Sequence, residues 1–189
     1  MIDTTKLVEI RWHGRGGQGA VTSAELLAKA AINEGKYAQG FGSFGPERRG
    51  APVQAFDRIS AKIPIRVRAE ITQPDVIIVL DPGLVKVVNV TAGLKEGGII
   101  IINSKKPLAE VAAEFDKKWS VAVVDATKIA QEVLGVNMVN TAMLGALLKA
   151  AELVKMESLH EPIVERFGRL GERNINSMKR SFVETKVKE

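Results

Sequence analysis

Apolar and polar residues alternate from Leu7 to Trp12 (LVEIRW), the period-two pattern of a short strand, until the run Gly14-Arg15-Gly16-Gly17-Gln18-Gly19 breaks it. From Thr22 the period becomes helical, with Leu26, Leu27, Ala30 and Ala31 on one stripe, Thr22 or Ser23 available as a cap, and Gly35 just past the end. The chain thus opens as strand, glycine turn, helix. Tyr37 to Phe41 and Ala51 to Ile59 read as two strands around a loop punctuated by glycine and proline. Ile63 to Ile71 alternates again, apolar at Ile63, Ile65, Val67, Ala69 and Ile71 and polar at Arg66, Arg68 and Glu70, a pattern suited to an antiparallel edge strand with one solvated face.

Val76-Ile77-Ile78-Val79-Leu80, Ile99-Ile100-Ile101-Ile102 and Val121-Ala122-Val123-Val124 are continuous apolar runs, as expected of strands covered by helices on both faces. Leu84 to Leu94, Leu108 to Phe115 and Ile129 to Leu134 have helical spacing between and after them. The last third is helical: Asn140 to Val154, Ser158 to Phe167, and Gly171 to about Lys186 with Ile175, Met178 and Phe182 on one stripe. The first of these helices is apolar nearly all round, so it is buried either in the core or against another subunit. The fold class expected is α/β: a three-layer α/β/α sandwich on a mostly parallel, mixed sheet, with a helical carboxy-terminal third. No repeat, low-complexity tract or linker divides the chain, so residues 1–189 read as one domain.

Composition narrows the chemistry. The 189 residues contain no cysteine, which excludes disulfides, thiolate zinc sites, cysteine nucleophiles and iron–sulfur clusters ligated by this chain. The net charge of +5 favours anionic partners, but scattered basic residues and 5% aromatics do not make a nucleic-acid footprint. The amino terminus lacks the apolar run of a signal peptide and no stretch has the length of a membrane span, so the expected location is cytoplasmic, with no membrane partner.

Gly14, Gly16 and Gly19 fit G-x-G-x-x-G between a strand and a helix, where backbone N–H groups approach a phosphate at the positive helix end. A dinucleotide site also wants an acid at the end of the second strand, and Tyr37 to Phe41 supplies none; Glu34 comes too early. A P-loop would need Gly-Lys-Ser/Thr, which does not follow. The glycines alone would equally serve a tight turn, but Arg15 and Gln18 add fixed donors for a pyrophosphate or carboxylate. His13, with no carboxylate near it in sequence, reads as structural.

In the loop Phe44-Gly45-Pro46-Glu47-Arg48-Arg49-Gly50, the two arginines are either solvated and salt-bridged to Glu47 or held by it as a phosphate or partner site. Asp81, Asn103 and Asp125 each close a buried run, where open α/β sheets bind ligands; Asp81 before Pro82-Gly83 and Asp125 before Ala126-Thr127 also suit helix caps, the reading preferred here.

The two spaced motifs, with DVIIVLDP (Asp75 to Pro82) and Asn140-Thr141-Ala142-Met143-Leu144-Gly145-Ala146, resemble the gamma subunits of 2-oxoacid:ferredoxin oxidoreductases, most closely the pyruvate and 2-ketoisovalerate enzymes. The resemblance spans essentially the whole chain. It implies a subunit of a complex that oxidatively decarboxylates pyruvate, or a branched-chain 2-oxoacid, with coenzyme A and reduces ferredoxin. Thiamine diphosphate and iron–sulfur clusters would sit on the alpha, beta and delta partner subunits. This chain would contribute to coenzyme A binding and assembly, without a catalytic residue of its own. Gly14, Arg15, Gly16, Gly17, Gln18, Gly19, Glu47, Arg48, Arg49 and Gly50 then become the candidates for coenzyme A phosphates and subunit contacts. Two rivals are a stand-alone nucleotide-binding oxidoreductase and an assembly module whose glycine turn binds only protein.

Overall fold

In the computed structural model, which describes residues 2–3, 5–43 and 50–188, the apolar runs pair side by side. The strands are β1 (Val8–Arg15), β2 (Tyr37–Gly42), β3 (Pro52–Ser60), β4 (Val76–Val79), β5 (Ile99–Asn103), β6 (Ser120–Val124) and β7 (Lys186–Lys188). They form one seven-stranded sheet in the order β2-β3-β1-β4-β5-β6-β7. β1, β4, β5 and β6 are parallel, while β3 pairs antiparallel with both β1 and β2, and β7 closes the far edge antiparallel to β6. The three β-branched runs are thus the middle of the sheet, where both faces are covered.

The helices are α1 (Ala20–Asn33), α2 (Leu108–Ala113), α3 (Ala126–Leu134), α4 (Asn140–Ala151), α5 (His160–Phe167) and α6 (Gly171–Glu184). α1, α3, α4 and α6 bury Leu27, Ile129, Leu144 and Met178 against Trp12, Ile78, Ile101 and Ala122 on one face. The opposite face packs Ile77, Val79, Ile100, Ile102 and Val123 under a thinner layer: α2, a short 3-10 turn at Pro82–Lys86, and Leu84, Val90 and Leu94. The three layers and helical carboxy-terminal third follow the sequence expectation. α4 is buried within this chain, against the sheet and α6, where a Cβ on Gly145 would collide with the Met178 carbonyl oxygen.

Three local expectations fail for physical reasons. Ile63 to Ile71 is no strand: residues 64–71 lie outside the sheet, with Pro64 lacking a donor and Arg58 and Arg11 taking the carbonyls of Val67, Ala69 and Ile71. Leu84 to Leu94 is no helix; the 3-10 turn ends at Lys86, and tight turns follow to Gly93, which adopts φ +73°. Thr22 and Ser23 do not cap α1. Its N-cap is Gly19 in the left-handed region, and Ser23 already lies in the helix, its hydroxyl donating to the carbonyls of Gly19 and Asn140. β1 also runs past Trp12 to Arg15, because β3 pairs with it as far as Pro52.

Candidate functional site: the glycine turn at the switch point of the sheet

The connection after β1 carries α1 over one face of the sheet, and the connection after β4 covers the other. The carboxyl ends of these neighbouring parallel strands therefore form a switch point, the place where open α/β sheets bind ligands. The glycine turn stands on one lip and Asp81 on the other.

Gly17 and Gly19 take φ +93° and +84°, conformations that a side chain would strain. A Cβ on Gly19 would also press to 3.0 Å from both Cβ and Nδ2 of Asn140. The turn is braced internally: Gln18 N–H donates to the Arg15 carbonyl (2.9 Å), and Gln18 Oε1 accepts from the Arg15 N–H (2.8 Å). Arg15 then reaches across the switch point, Nε to Asp81 Oδ2 at 2.7 Å, and its Nη1 donates to the Gly50 carbonyl at 3.1 Å. Asp81 also accepts from Gly83 N–H (2.8 Å), so the expected cap is confirmed and is joined by an ion pair. Asn103 binds the Leu80 carbonyl and Thr127, and Asp125 caps α3 through Lys128 N–H.

The two sequence motifs meet here. Gly16 N–H donates to the Ala51 carbonyl (2.9 Å) and Gly50 N–H to the Gly16 carbonyl (3.1 Å), stitching the end of the second loop to the glycine turn. Glu47, Arg48 and Arg49 lie outside the described residues.

A cavity of about 320 Å³ opens beside the turn, lined by Arg15, Gly17, Thr22, Asn140, Arg166 and Phe167 among others. Among the described residues the N–H groups of Ala20, Val21 and Thr22 have no acceptor, since α1 lacks a side-chain cap, and no acid occupies the first turn. Helix dipole, these amides and the guanidinium of Arg166 give the cavity a positive lining, of the kind that suits an anion. Asn140 lines it, 2% exposed, and among the described residues its Oδ1 has no partner. Sequence reasoning missed Asn140 and Arg166 as site residues. Asn140 opens a nearly all-apolar helix, which was its signal; Arg166 carried none.

His13 plays no part in this cavity. It lies under the other face, its Nε2 accepting from Arg11 Nε at 3.0 Å; burial and the Arg11 cation hold its pKa down to about 4, so it is neutral. Arg11 in turn donates to the carbonyls of Ile71, Val90 and Ala92. The buried acid Asp57 accepts from the Trp12 indole N–H at 2.6 Å, and burial pushes its pKa well above the ordinary carboxylate range. What the site offers is donors for binding. Among the described residues no three His, Cys, Asp or Glu side chains group as a metal site would, and no helix is long and apolar enough to cross a membrane.

Residues 9–183 match the pyruvate ferredoxin/flavodoxin oxidoreductase family. The chain is 56% identical over 185 residues to the pyruvate/ketoisovalerate oxidoreductases common subunit gamma of Thermococcus kodakarensis, covering 97% of this chain and 100% of the relative. It is 48% identical to pyruvate synthase subunit PorC of Methanothermobacter marburgensis, over 95% and 98% of the two chains. The crystal structure of pyruvate oxidoreductase subunit PORC from Thermotoga maritima superposes with a TM-score of 0.85 at 36% identity, covering 97% and 99%. Sheet, glycine turn and comparisons agree: the chain belongs to the pyruvate ferredoxin/flavodoxin oxidoreductase family, among its gamma subunits.

Proposed function

We propose that this chain, working as one unit over residues 1–189, holds the anionic groups of coenzyme A for a pyruvate:ferredoxin oxidoreductase. The observation that carries the reading is the amino-terminal end of α1, where three amides with no acceptor among the described residues border a cavity flanked by Arg15 and Arg166. The pyrophosphate and ribose phosphate of coenzyme A are suited to such a backbone cradle and to bidentate arginines. Arg15 serves mainly as a brace, because Asp81 already holds it, while Arg166, with no salt bridge among the described residues, supplies the charge. Arg48 and Arg49, the other basic candidates read from the sequence, directly precede Gly50, whose carbonyl Arg15 binds.

In this proposal alpha, beta and delta subunits in the cytoplasm carry the thiamine diphosphate and iron–sulfur clusters, which supply decarboxylation and electron transfer to ferredoxin. This chain orients the coenzyme A thiol toward that centre and excludes water from it, and it contributes no covalent chemistry. A relative named as common to pyruvate and ketoisovalerate oxidoreductases favours a second substrate class: the same gamma chain serving a branched-chain 2-oxoacid enzyme.

The test is steady-state kinetics of the assembled enzyme carrying Arg166→Ala or the double change Arg48→Ala with Arg49→Ala. The KM for coenzyme A should rise by roughly tenfold, the worth of one charge-assisted contact, while the KM for pyruvate stays put. An unchanged coenzyme A KM in an intact complex would reject the reading in favour of an assembly role. Binding of NAD or NADP to the isolated chain would instead point to a stand-alone nucleotide-binding protein.

A further inference from the structure

Residues 61–71 have a strand's sequence and a strand's unfinished edge. The carbonyls of Val67, Ala69 and Ile71 all turn toward the sheet: Arg58 Nη1 donates to Val67 (3.4 Å) and Ala69 (2.8 Å), Arg11 Nη1 donates to Ile71 (3.2 Å), and Gln39 Nε2 donates to Val67 (2.6 Å). In extended backbone, alternate residues direct their N–H and C=O groups to opposite sides. The groups of Arg66, Arg68 and Glu70 therefore face outward, and among the described residues none of them makes a backbone hydrogen bond. Ile63 and Val67 are 46% and 60% exposed, a strand's apolar residues left in water.

Unpaired strand edges of this kind are templates for another chain, and proteins that keep one exposed ordinarily blunt it. Here the two buried arginines bind three alternate carbonyls of the arm on its inner side. Its charge defines the occupant: Lys62, Arg66 and Arg68 against Glu70, with no salt bridge to any of the three cations among the described residues. Arg68 rests over the Phe41 ring at 5.3 Å, which fixes it beside this edge.

We infer that in the assembled enzyme an extended, acidic segment of another subunit adds as a strand along the outer edge of residues 64–71, hydrogen-bonding the outward groups of Arg66, Arg68 and Glu70. Main-chain bonds supply affinity, and the cations select an acidic neighbour. The inference rests on the chain being one subunit among several and is independent of what the glycine turn binds.

Hydrogen–deuterium exchange on the free full-length chain and on the assembled complex tests it. The amides of Arg66, Arg68 and Glu70 should exchange freely in the isolated chain and at least about tenfold more slowly in the complex. Lys62→Glu combined with Arg66→Glu, two exposed positions whose change leaves the free chain's melting curve in place, should weaken association by at least about tenfold. Equal exchange in both states, or undiminished association of the charge-reversed chain, would overturn the inference. Protection already present in the free chain at concentrations where it dimerises would assign the edge to a second copy and overturn it too. Because coenzyme A KM is not the readout, failure of the coenzyme A proposal leaves these outcomes unaltered.

Discussion

Arg15 and Asp81 stand 2.7 Å apart across the switch point of the sheet, the last residue of β1 joined to the residue two beyond the end of β4. The bond ties the glycine turn to the opposite lip of the cavity. Asp81 does two jobs at once, pairing Arg15 through Oδ2 and capping the Pro82–Lys86 turn through Oδ1.

Substitution separates those jobs. Asp81→Asn keeps an acceptor for Gly83 N–H and loses the charge, and because the pair is partly exposed it should cost under about 1 kcal/mol. Asp81→Ala removes the cap as well and should cost about 1–2 kcal/mol. Urea unfolding of the two variants distinguishes them; equal losses would assign the whole effect to the ion pair.

Stability should fall in mild acid because of His13. Its folded-state pKa is near 4 and its ordinary value 6.5, so below 6.5 the unfolded chain takes up a proton that the native chain refuses. Stability is therefore full above pH 6.5 and is lost as pH falls toward 4, by up to about 3 kcal/mol. His13→Gln, which leaves an acceptor for Arg11, should flatten that part of the profile. Denaturant midpoints at pH 7, 5.5 and 4.5 provide the check.

Asp57 slopes the other way. A Cβ on Gly40 would stand 2.5 Å from the Ala24 carbonyl oxygen and 2.9 Å from Asp57 Oδ1, so both oxygens border one small space, and among the described residues Oδ1 has no donor. That arrangement suits a carboxyl that keeps its proton. With its pKa raised above the ordinary 3.8, Asp57 favours the native state most in acid and stabilises it less as pH rises toward its folded value. Asp57→Asn should retain the Trp12 hydrogen bond and remove this decline. The measurement is the difference in melting temperature between variant and parent from pH 5 to pH 9, which should grow with pH.

Gly145→Ala adds one methyl where α4 meets the α6 backbone at Met178. A carbonyl oxygen within a helix has nowhere to retreat, so the helices must part, at a cost of about 1–3 kcal/mol or more. Thermal unfolding with near-ultraviolet circular dichroism would register both the lower midpoint and the loosened packing. An unshifted midpoint would mean that α4 and α6 slide more freely than their contact implies.

How far the sequence reading reached depended on whether a residue's role left a local mark. Burial on both faces leaves one, which is why Val76 to Leu80, Ile99 to Ile102 and Val121 to Val124 were legible as strands covered by helices on both sides. Positive φ leaves one as well, and so the glycine turn was legible before its cavity was seen. Ile63 to Ile71 misled because alternation records a chain's extended backbone without recording who pairs with it; the partners are guanidiniums of Arg58 and Arg11, from two other strands. Leu84 to Leu94 had helical spacing, but Thr72 crowds Gly93 and the chain turns instead. Arg166 reaches the site only because α5 folds back over α1, a long-range event with no local signature, whereas Asn140 was marked by no more than its place at the start of a nearly all-apolar helix. Family resemblance reached further than periodicity on function.

Arg11 has a consequence for environment. The residue is 6% exposed, and all the partners of its guanidinium among the described residues are uncharged: three carbonyl oxygens and a neutral imidazole. Mobile ions screen charge against charge across solvent, yet they have little access to a buried cation bound to dipoles. The knot joining β1 to Ile71, Val90 and Ala92 is thus insulated from the ionic strength of its surroundings, and the thinner face of the sheet keeps its shape in a salt-rich cell as in a dilute one.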